Sequence, residues 1–383
     1  MRGQTLLEAA HNLVPLIEEQ RPAGDQQAHL TRKVVDACGQ AGLFRMTAPQ
    51  EVGGLELLPS EIVKVTEVVS AADPAVGWYI QNSMPTCVAS AMLSEDDRSK
   101  VFANPNTNFG YAGMPTGQAI AEDDGYRLSG KWPVVTGVED AGWVALHAPV
   151  LDGGVPREED GQPEIRLFLV PTRELEIIDT WRHVAAMRGT GSNAVSAPEI
   201  FVPEGFACSD TKPLVIDRPY FRVPVSVPQL SADAAAVFGI LGSAIERVMV
   251  DLSAHTAAFT GEARRDQAAT QELAAEITAR FRAVRAGLLE ITDAVSELMS
   301  AGKELPAKLR ADLYASIMLI FETGRDIASR LYSGGTRDAF VRGHPLEHAL
   351  RDLHAISYGM SSVRFITHSA GRVLLGGEHD HGL

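Results

Sequence analysis

Positive charge is scarce in this chain. Lys plus Arg number 34 against 49 Asp plus Glu, a formal net charge of −15. Holding a phosphate backbone or an anionic bilayer needs a concentrated positive surface. Nucleic acid and membrane are therefore not expected partners. Cysteine is scarcer still. Cys38, Cys87 and Cys208 are odd in number and widely spaced, which excludes a disulfide framework or a zinc knuckle. They read as reduced, mostly buried thiols. No stretch approaches the roughly 18 apolar residues of a spanning helix. The opening segment, MRGQTLLEAAHNLVPLIEEQ, is interrupted by acidic residues where a signal peptide needs an apolar core. The expected compartment is cytoplasmic. Nucleotide and metal motifs are also missing. There is no Gly-x-Gly-x-x-Gly after a strand, no P-loop and no His-Glu-x-x-His, so a Rossmann nicotinamide site is unsupported. The tail Gly377-Glu378-His379-Asp380-His381 has metal-ligand residue types, but a terminal, glycine-flanked segment frays, and no metal is expected there.

What is present is an ordinary globular composition, 45% apolar and 22% charged over 383 residues. That length predicts two or three packed subdomains. The hydrophobic period changes twice. Residues 1–104 carry helical sets: Leu6, Leu7, Ala10, Leu13 and Ile17, then Val34, Val35, Cys38 and Leu43 closed by Gly42, then Ile62, Val63, Val65, Val68 and Val69. Residues 105–222 break into short β-branched and aromatic runs such as YRLSGKWPVVTG and IRLFLVP, separated by Gly, Pro and Asp clusters. They predict an antiparallel β-domain. Residues 223–383 return to helix, with Leu273, Ile277, Phe281, Val284 and Leu288 on one stripe and Leu309, Leu313, Ile317, Ile320 and Ile327 on another. Such stripes predict a four-helix bundle whose apolar residues are core. The fold class is α+β: a helical domain, a β-domain and a helical bundle.

Four local motifs in this order resemble the acyl-CoA dehydrogenase superfamily. They are APQEVGG (48–54), GYRLSGKW followed by VVTG (125–137), MRGTGSNAV (187–195) and IFVPEG (200–205). The resemblance covers essentially the whole chain. It implies a flavin bound between the β-domain and the C-terminal bundle, and a homotetramer. A flavin ring needs a flat apolar slot with a few polar groups at one edge. Trp132, Thr136 and Gly137 match the flavin-proximal strand. Trp132 would wall the ring, and Thr136 would donate to its N5 and C4a region. An ordinary strand and turn is the alternative reading of the same residues. Arg188 is expected to contact the cofactor or to brace its turn, and Ser192 to bond a phosphate or ribose. Arg264 resembles the arginine that reaches the flavin diphosphate of a neighbouring subunit, and it also reads as a solvated helix-start residue.

A dehydrogenase needs a carboxylate over the substrate to take a proton. The family's two positions for it fall near Gln229, aligned on Ala236, Val237 and Gly239, and near Gly359 or Met360, beyond Arg351-Asp352. Neither is acidic. Asp233 lies one turn past the first. The segment HPLEHALRDLHAISYG (344–359) instead resembles the flavin-dependent monooxygenase branch, whose members take reduced FAD or FMN from a separate reductase. ADPAVGW (72–78) resembles that branch too, with Trp78 on the substrate side. Its aromatic hydroxylases carry a base His two turns after the Arg-Asp pair, where this chain reads Ser357-Tyr358-Gly359. A phenolic substrate is thereby put in doubt. His354 is the best available acid or base, because imidazole titrates near neutrality, and Tyr358 stands one turn on. Catalytic expectations thus fall on His354, Thr136 and Tyr358. Cofactor contacts fall on Trp132, Thr136, Gly137, Arg188, Ser192 and Arg264, and the substrate pocket on Trp78, Gln229 and Asp233. The expected reaction is oxygenation of a small molecule with O2 and reduced flavin. An acyl-CoA dehydrogenase using Asp233 is the alternative, and a non-catalytic ligand-binding or subunit-pairing homologue is a third.

Overall fold

The computed structural model describes residues 2–159, 161–209, 211–257, 260–361 and 364–378. His379, Asp380 and His381 of the tail lie outside them. Helices come first: α1 (Arg2–Gln27), α2 (Arg32–Ala41), α3 (Pro59–Ala72), α4 (Pro74–Ala89) and α5 (Glu95–Val101). Along α1, Leu6, Ala10 and Ile17 are buried, the spacing of one helical face. Gly42 ends α2 at φ +86, and its N–H bonds the carbonyls of Cys38 and Gly39, the glycine stop expected at a left-handed cap.

The strands are β1 (Asn108–Ala112), β2 (Gln118–Glu122), β3 (Gly125–Val135), β4 (Ala141–Asp152), β5 (Val155–Pro156), β6 (Glu158–Glu159), β7 (Gln162–Pro163), β8 (Ile165–Pro171), β9 (Glu176–Ile178), β10 (Asn193–Pro203) and β11 (Ala207–Cys208). The main sheet runs β11-β8-β4-β2-β3-β10-β9, with β1 and β5 also on β4. It is mostly antiparallel, but β1 and β2 both pair with β4 in parallel. The expected antiparallel β-domain is thus present, with two parallel pairings added to it. Phe109, Leu128, Trp132, Leu146 and Phe168 form its core. The three cysteines are buried, and burial pushes the Cys87 thiol up to about 12.

Among the described residues, α6 (Ser226–Ala254), α7 (Ala268–Ser300), α8 (Ala307–Gly334), α9 (Pro345–Ser361) and α10 (Phe365–Leu374) follow. Two compact units result. One comprises residues 1–57, 78–184 and 188–229, the other 58–77, 185–187 and 230–383. The first contains the sheet. In the second, α3 packs with α7, and Arg285 grips Glu67 with both ends of its guanidinium at 2.7 and 2.9 Å. Gly239 on α6 touches α3 so closely that a Cβ would stand 2.6 Å from the Ala71 nitrogen. The Ala-Val-x-Gly segment is thus a helix-crossing point that only glycine permits.

Among the described residues, no helix is long and apolar enough to cross a membrane.

Candidate active site

Strand β3 ends in a bulge. Between Asn193 and Val195, β10 advances two residues while its partner β3 advances from Val135 to Trp132, three residues. A bulge of this kind breaks side-chain alternation and re-aims neighbours. Here it turns Pro133 and Val134 both outward, with Val134 46% exposed. Trp132 points the other way. It is fully buried, and its indole N–H donates to the His147 carbonyl at 2.9 Å. A Cβ on Gly117 would lie 2.3 Å from the indole ring. Enclosing an indole of ~150–250 Å² stabilises the core by about 4–6 kcal/mol before opposing terms. The expectation that Trp132 walls a flavin is therefore corrected: the ring is core, and Val134 is the apolar side chain the strand presents outward.

Past the bulge, the motifs from β3 and β10 meet. Thr136 Oγ1 lies 2.9 Å from Ser192 Oγ, which lies 2.8 Å from Thr190 Oγ1. All three residues are at most 2% exposed. The Gly137 N–H donates to the Thr190 carbonyl at 2.9 Å and ties the two segments together. Gly137 holds φ +65, and a Cβ there would meet Asn108 Nδ2 at 2.7 Å and the Tyr79 ring at 2.8 Å. Asn108 Nδ2 donates to the Gly137 carbonyl, and its buried Oδ1 accepts no hydrogen bond. Thr136, Gly137 and Ser192 are thus brought together. The Ser192 hydroxyl lies between those of Thr136 and Thr190. Val134, Thr190 and Asn108 were missed. Only the glycine pattern around them hinted at a tight turn.

Arg188 is turned to backbone carbonyls of its own chain. Its guanidinium donates to the carbonyls of Asp25, Arg182, Val184 and Gln26, at 2.7, 2.9, 2.7 and 3.4 Å. A fork committed to four carbonyls braces its turn. Next to it, Met187 adopts φ +50, a strained conformation for a residue with a side chain. Asp352 on α9 accepts the Met187 N–H at 2.7 Å and is itself buried. The Arg351-Asp352 pair is therefore split in its duties, since Arg351 bonds Glu347 and His348. Arg264 donates to the Gly334 carbonyl at 3.0 Å and keeps a buried Nε with no partner.

Trp78, on the first turns of α4, is half-buried. One turn on, Asn82 donates to its carbonyl at 2.8 Å. Gln81 Oε1 accepts from Gln229 Nε2 at 3.0 Å. Trp78 and Gln229 thus share one neighbourhood, whose amides Gln81 and Asn82 were not foreseen. Asp233 follows Gln229 by one turn of α6, inside an entirely buried stretch from Ser231 to Ile240. Its Oδ1 has no hydrogen-bond partner, and burial alone raises the carboxyl to about 8. Near neutral pH it is mainly the uncharged acid, the wrong resting form for removing a proton from carbon.

On α9, a helix turns ~100° per residue. Asp352 faces inward, so His354 falls about 200° away and Gly359 returns to within about 20° of Asp352. His354 is exposed, with Nε2 3.0 Å from Ser329 Oγ on α8. Tyr358 is 81% exposed. Neither side chain sits in a dry enclosure. The position that shares the Asp352 face is a glycine, beside which a Cβ would find nothing within 4 Å.

An isoalloxazine suits the groups gathered around the end of β3: the outward pair Pro133 and Val134, the Thr136 hydroxyl just past the strand, and the unsatisfied buried amide oxygen of Asn108 on β1. Comparison with known proteins bears on the cofactor and the family. The family described as acyl-CoA dehydrogenase, N-terminal domain, matches residues 7–101, and that described as acyl-CoA dehydrogenase, C-terminal domain, matches residues 231–360. One relative is the oxygenase subunit HsaA of a flavin-dependent monooxygenase from Mycobacterium tuberculosis. It is 27% identical over 373 residues, 92% of this chain and 90% of that protein. Solved structures share the fold, among them two with a bound flavin. XiaF from a Streptomyces species, in complex with FADH2 and glycerol, superposes with a TM-score of 0.86 at 22% identity, covering 98% of this chain and 96% of the other. FMN-bound TdsC from Paenibacillus sp. A11-2 superposes at 0.81 and 17% identity, covering 99% of each. The chain belongs to the acyl-CoA dehydrogenase superfamily. Its place there is the flavin-dependent monooxygenase branch, and it is an oxidoreductase of the monooxygenase kind rather than a dehydrogenase. Its cofactor is a flavin, FAD or FMN.

Proposed function

We propose that the chain is the oxygenase component of a two-component system, taking reduced flavin from a separate reductase and oxidising a small molecule at an electron-rich heteroatom. The observation that carries the choice of substrate lies on α9. The residue sharing the Asp352 face is Gly359, and the imidazole of His354 is turned to Ser329. A phenol needs a base to become nucleophilic at carbon, whereas an amine or sulfide already has its lone pair.

When bound, the flavin supplies two electrons to O2 and delivers one oxygen atom to the substrate. The chain's own residues do the rest. Val134 and Pro133 offer the ring an apolar surface, and Thr136 meets its N5 edge. Gly137 lets the backbone come close without a Cβ in the way. Asn108 Oδ1 is an acceptor still to be satisfied. Trp78, Gln81 and Gln229 bound the substrate side and help to exclude water, on which oxygenation depends. Arg264, with its unpartnered Nε, serves the flavin diphosphate of a neighbouring subunit in a homotetramer. The exposed apolar side chains Val250, Leu319, Phe340 and Phe365 support such an assembly. Three buried thiols are in keeping with a reducing, cytoplasmic compartment.

The test uses the protein with a flavin reductase, nicotinamide cofactor and ¹⁸O2, offered panels of small amines, sulfides and phenols. One labelled oxygen in an amine or sulfide product is expected, with phenols left unchanged. Labelled catechols without labelled heteroatom products would contradict the substrate assignment.

A further inference from the structure

The line of hydroxyls behind the β3 turn has a property that a single donor lacks. Thr136 Oγ1, Ser192 Oγ and Thr190 Oγ1 follow one another at 2.9 and 2.8 Å, and in each pair either oxygen can be the donor. Each hydroxyl holds one proton and can accept another bond. Both links run from hydroxyl to hydroxyl, so the pair of bonds can point outward or inward by rotation about the C–O bonds alone. The chain is sealed from water, at 2% exposure or less for every member. It is pinned by the backbone bond from Gly137 to Thr190. A buried hydroxyl that loses its inner partner has only one place left to send its proton.

A flavin's N5 changes sign as a hydrogen-bonding group. Reduced, it carries a hydrogen and donates. Oxidised, it has a lone pair and accepts. A backbone N–H would suit only the oxidised form, and a carbonyl only the reduced form. We propose that Ser192 and Thr190 are positioning residues that let Thr136 reverse its polarity, accepting from N5–H in the reduced flavin and donating to N5 in the oxidised one. This rests on the placement of Thr136 at N5 given above. In the first state the Thr136 proton points to Ser192, and the Ser192 proton to Thr190. In the second, Thr190 donates to Ser192, Ser192 to Thr136, and Thr136 outward. No covalent bond forms or breaks, and every proton stays on its own oxygen.

The readout is binding, not turnover. Dissociation constants for oxidised and for anaerobically dithionite-reduced FAD and FMN are measured on the intact protein, and their ratio is compared between variants. Ser192→Ala locks Thr136 as a donor. The ratio of reduced to oxidised dissociation constant is expected to rise about tenfold, the scale of one hydrogen bond. Ser192→Thr, which keeps the hydroxyl, restores the ratio to within about twofold. Thr190→Val shifts the ratio in the same direction by a smaller factor, and it stands in should Ser192→Ala fail to fold. Equal weakening of both forms by Ser192→Ala would show a merely structural serine and overturn the proposal. Dissociation constants that Thr136→Ala leaves unmoved for both forms would instead remove Thr136 from N5 and with it the underlying site. Weakening of both forms by Thr136→Ala, with a ratio unmoved by Ser192→Ala or Thr190→Val, would leave the site standing and reject the chain.

Discussion

Asp233 is a buried acid with no ion partner, and its titration has a sign that can be worked out. Burial raises the carboxyl from 3.8 to about 8. Between those values the folded protein binds more protons than the unfolded chain, so this group lowers stability as pH rises through that window. Asp233→Asn removes the dependence. The variant is expected to lose less stability than the parent between pH 5 and pH 8, by on the order of 2–4 kcal/mol. Urea midpoints at the two pH values measure it, and an identical pH difference in both proteins would contradict the buried, unpaired assignment. Legibility at this scale was uneven. Thr136, Gly137 and Ser192, singled out by the family resemblance, fall beside one another in the fold. Trp132 was misread because a bulge reverses which neighbour faces outward, and no pattern in a single strand announces a bulge. The inner role of Arg188 depends on four carbonyls that only the folded chain collects.

At the scale of elements, the proposed choice of substrate rests on α9. Asp352 and Gly359 share a face, and His354 lies on another. His354→Ala is expected to change kcat less than about threefold, well short of the 10²–10⁴-fold loss of a general base. Gly359→His is expected to fold, since nothing lies within 4 Å of a Cβ there, and to introduce activity toward phenols. Steady-state kinetics on an amine and a phenol check both. A hundredfold fall in kcat for His354→Ala would restore that imidazole to the reaction. The helical stripes themselves were plain from spacing, because apolar residues every three or four positions have one structural solution. The parallel pairings of β1 and β2 with β4 were not plain. Strand composition reports burial and period, and direction is set by connections that composition does not encode.

For the whole molecule, the surplus of 15 negative charges leaves local groups to hold an anionic cofactor, and the exposed apolar side chains on the C-terminal helices fit burial against further copies. The order of helix, sheet and helix was legible, as was the missing acid at Gln229 and Gly359. The central claim is that the reduced cofactor gives its electrons to oxygen. Stopped-flow mixing of the protein–reduced-flavin complex with oxygenated buffer tests it most directly, beside an anaerobic mixture of the oxidised-flavin complex with acyl-CoA thioesters. A transient flavin absorbance that outlives the reaction of free reduced flavin with oxygen, together with no bleaching by any thioester, is the predicted result. Rapid anaerobic bleaching by a thioester, with no transient in oxygen, would contradict it.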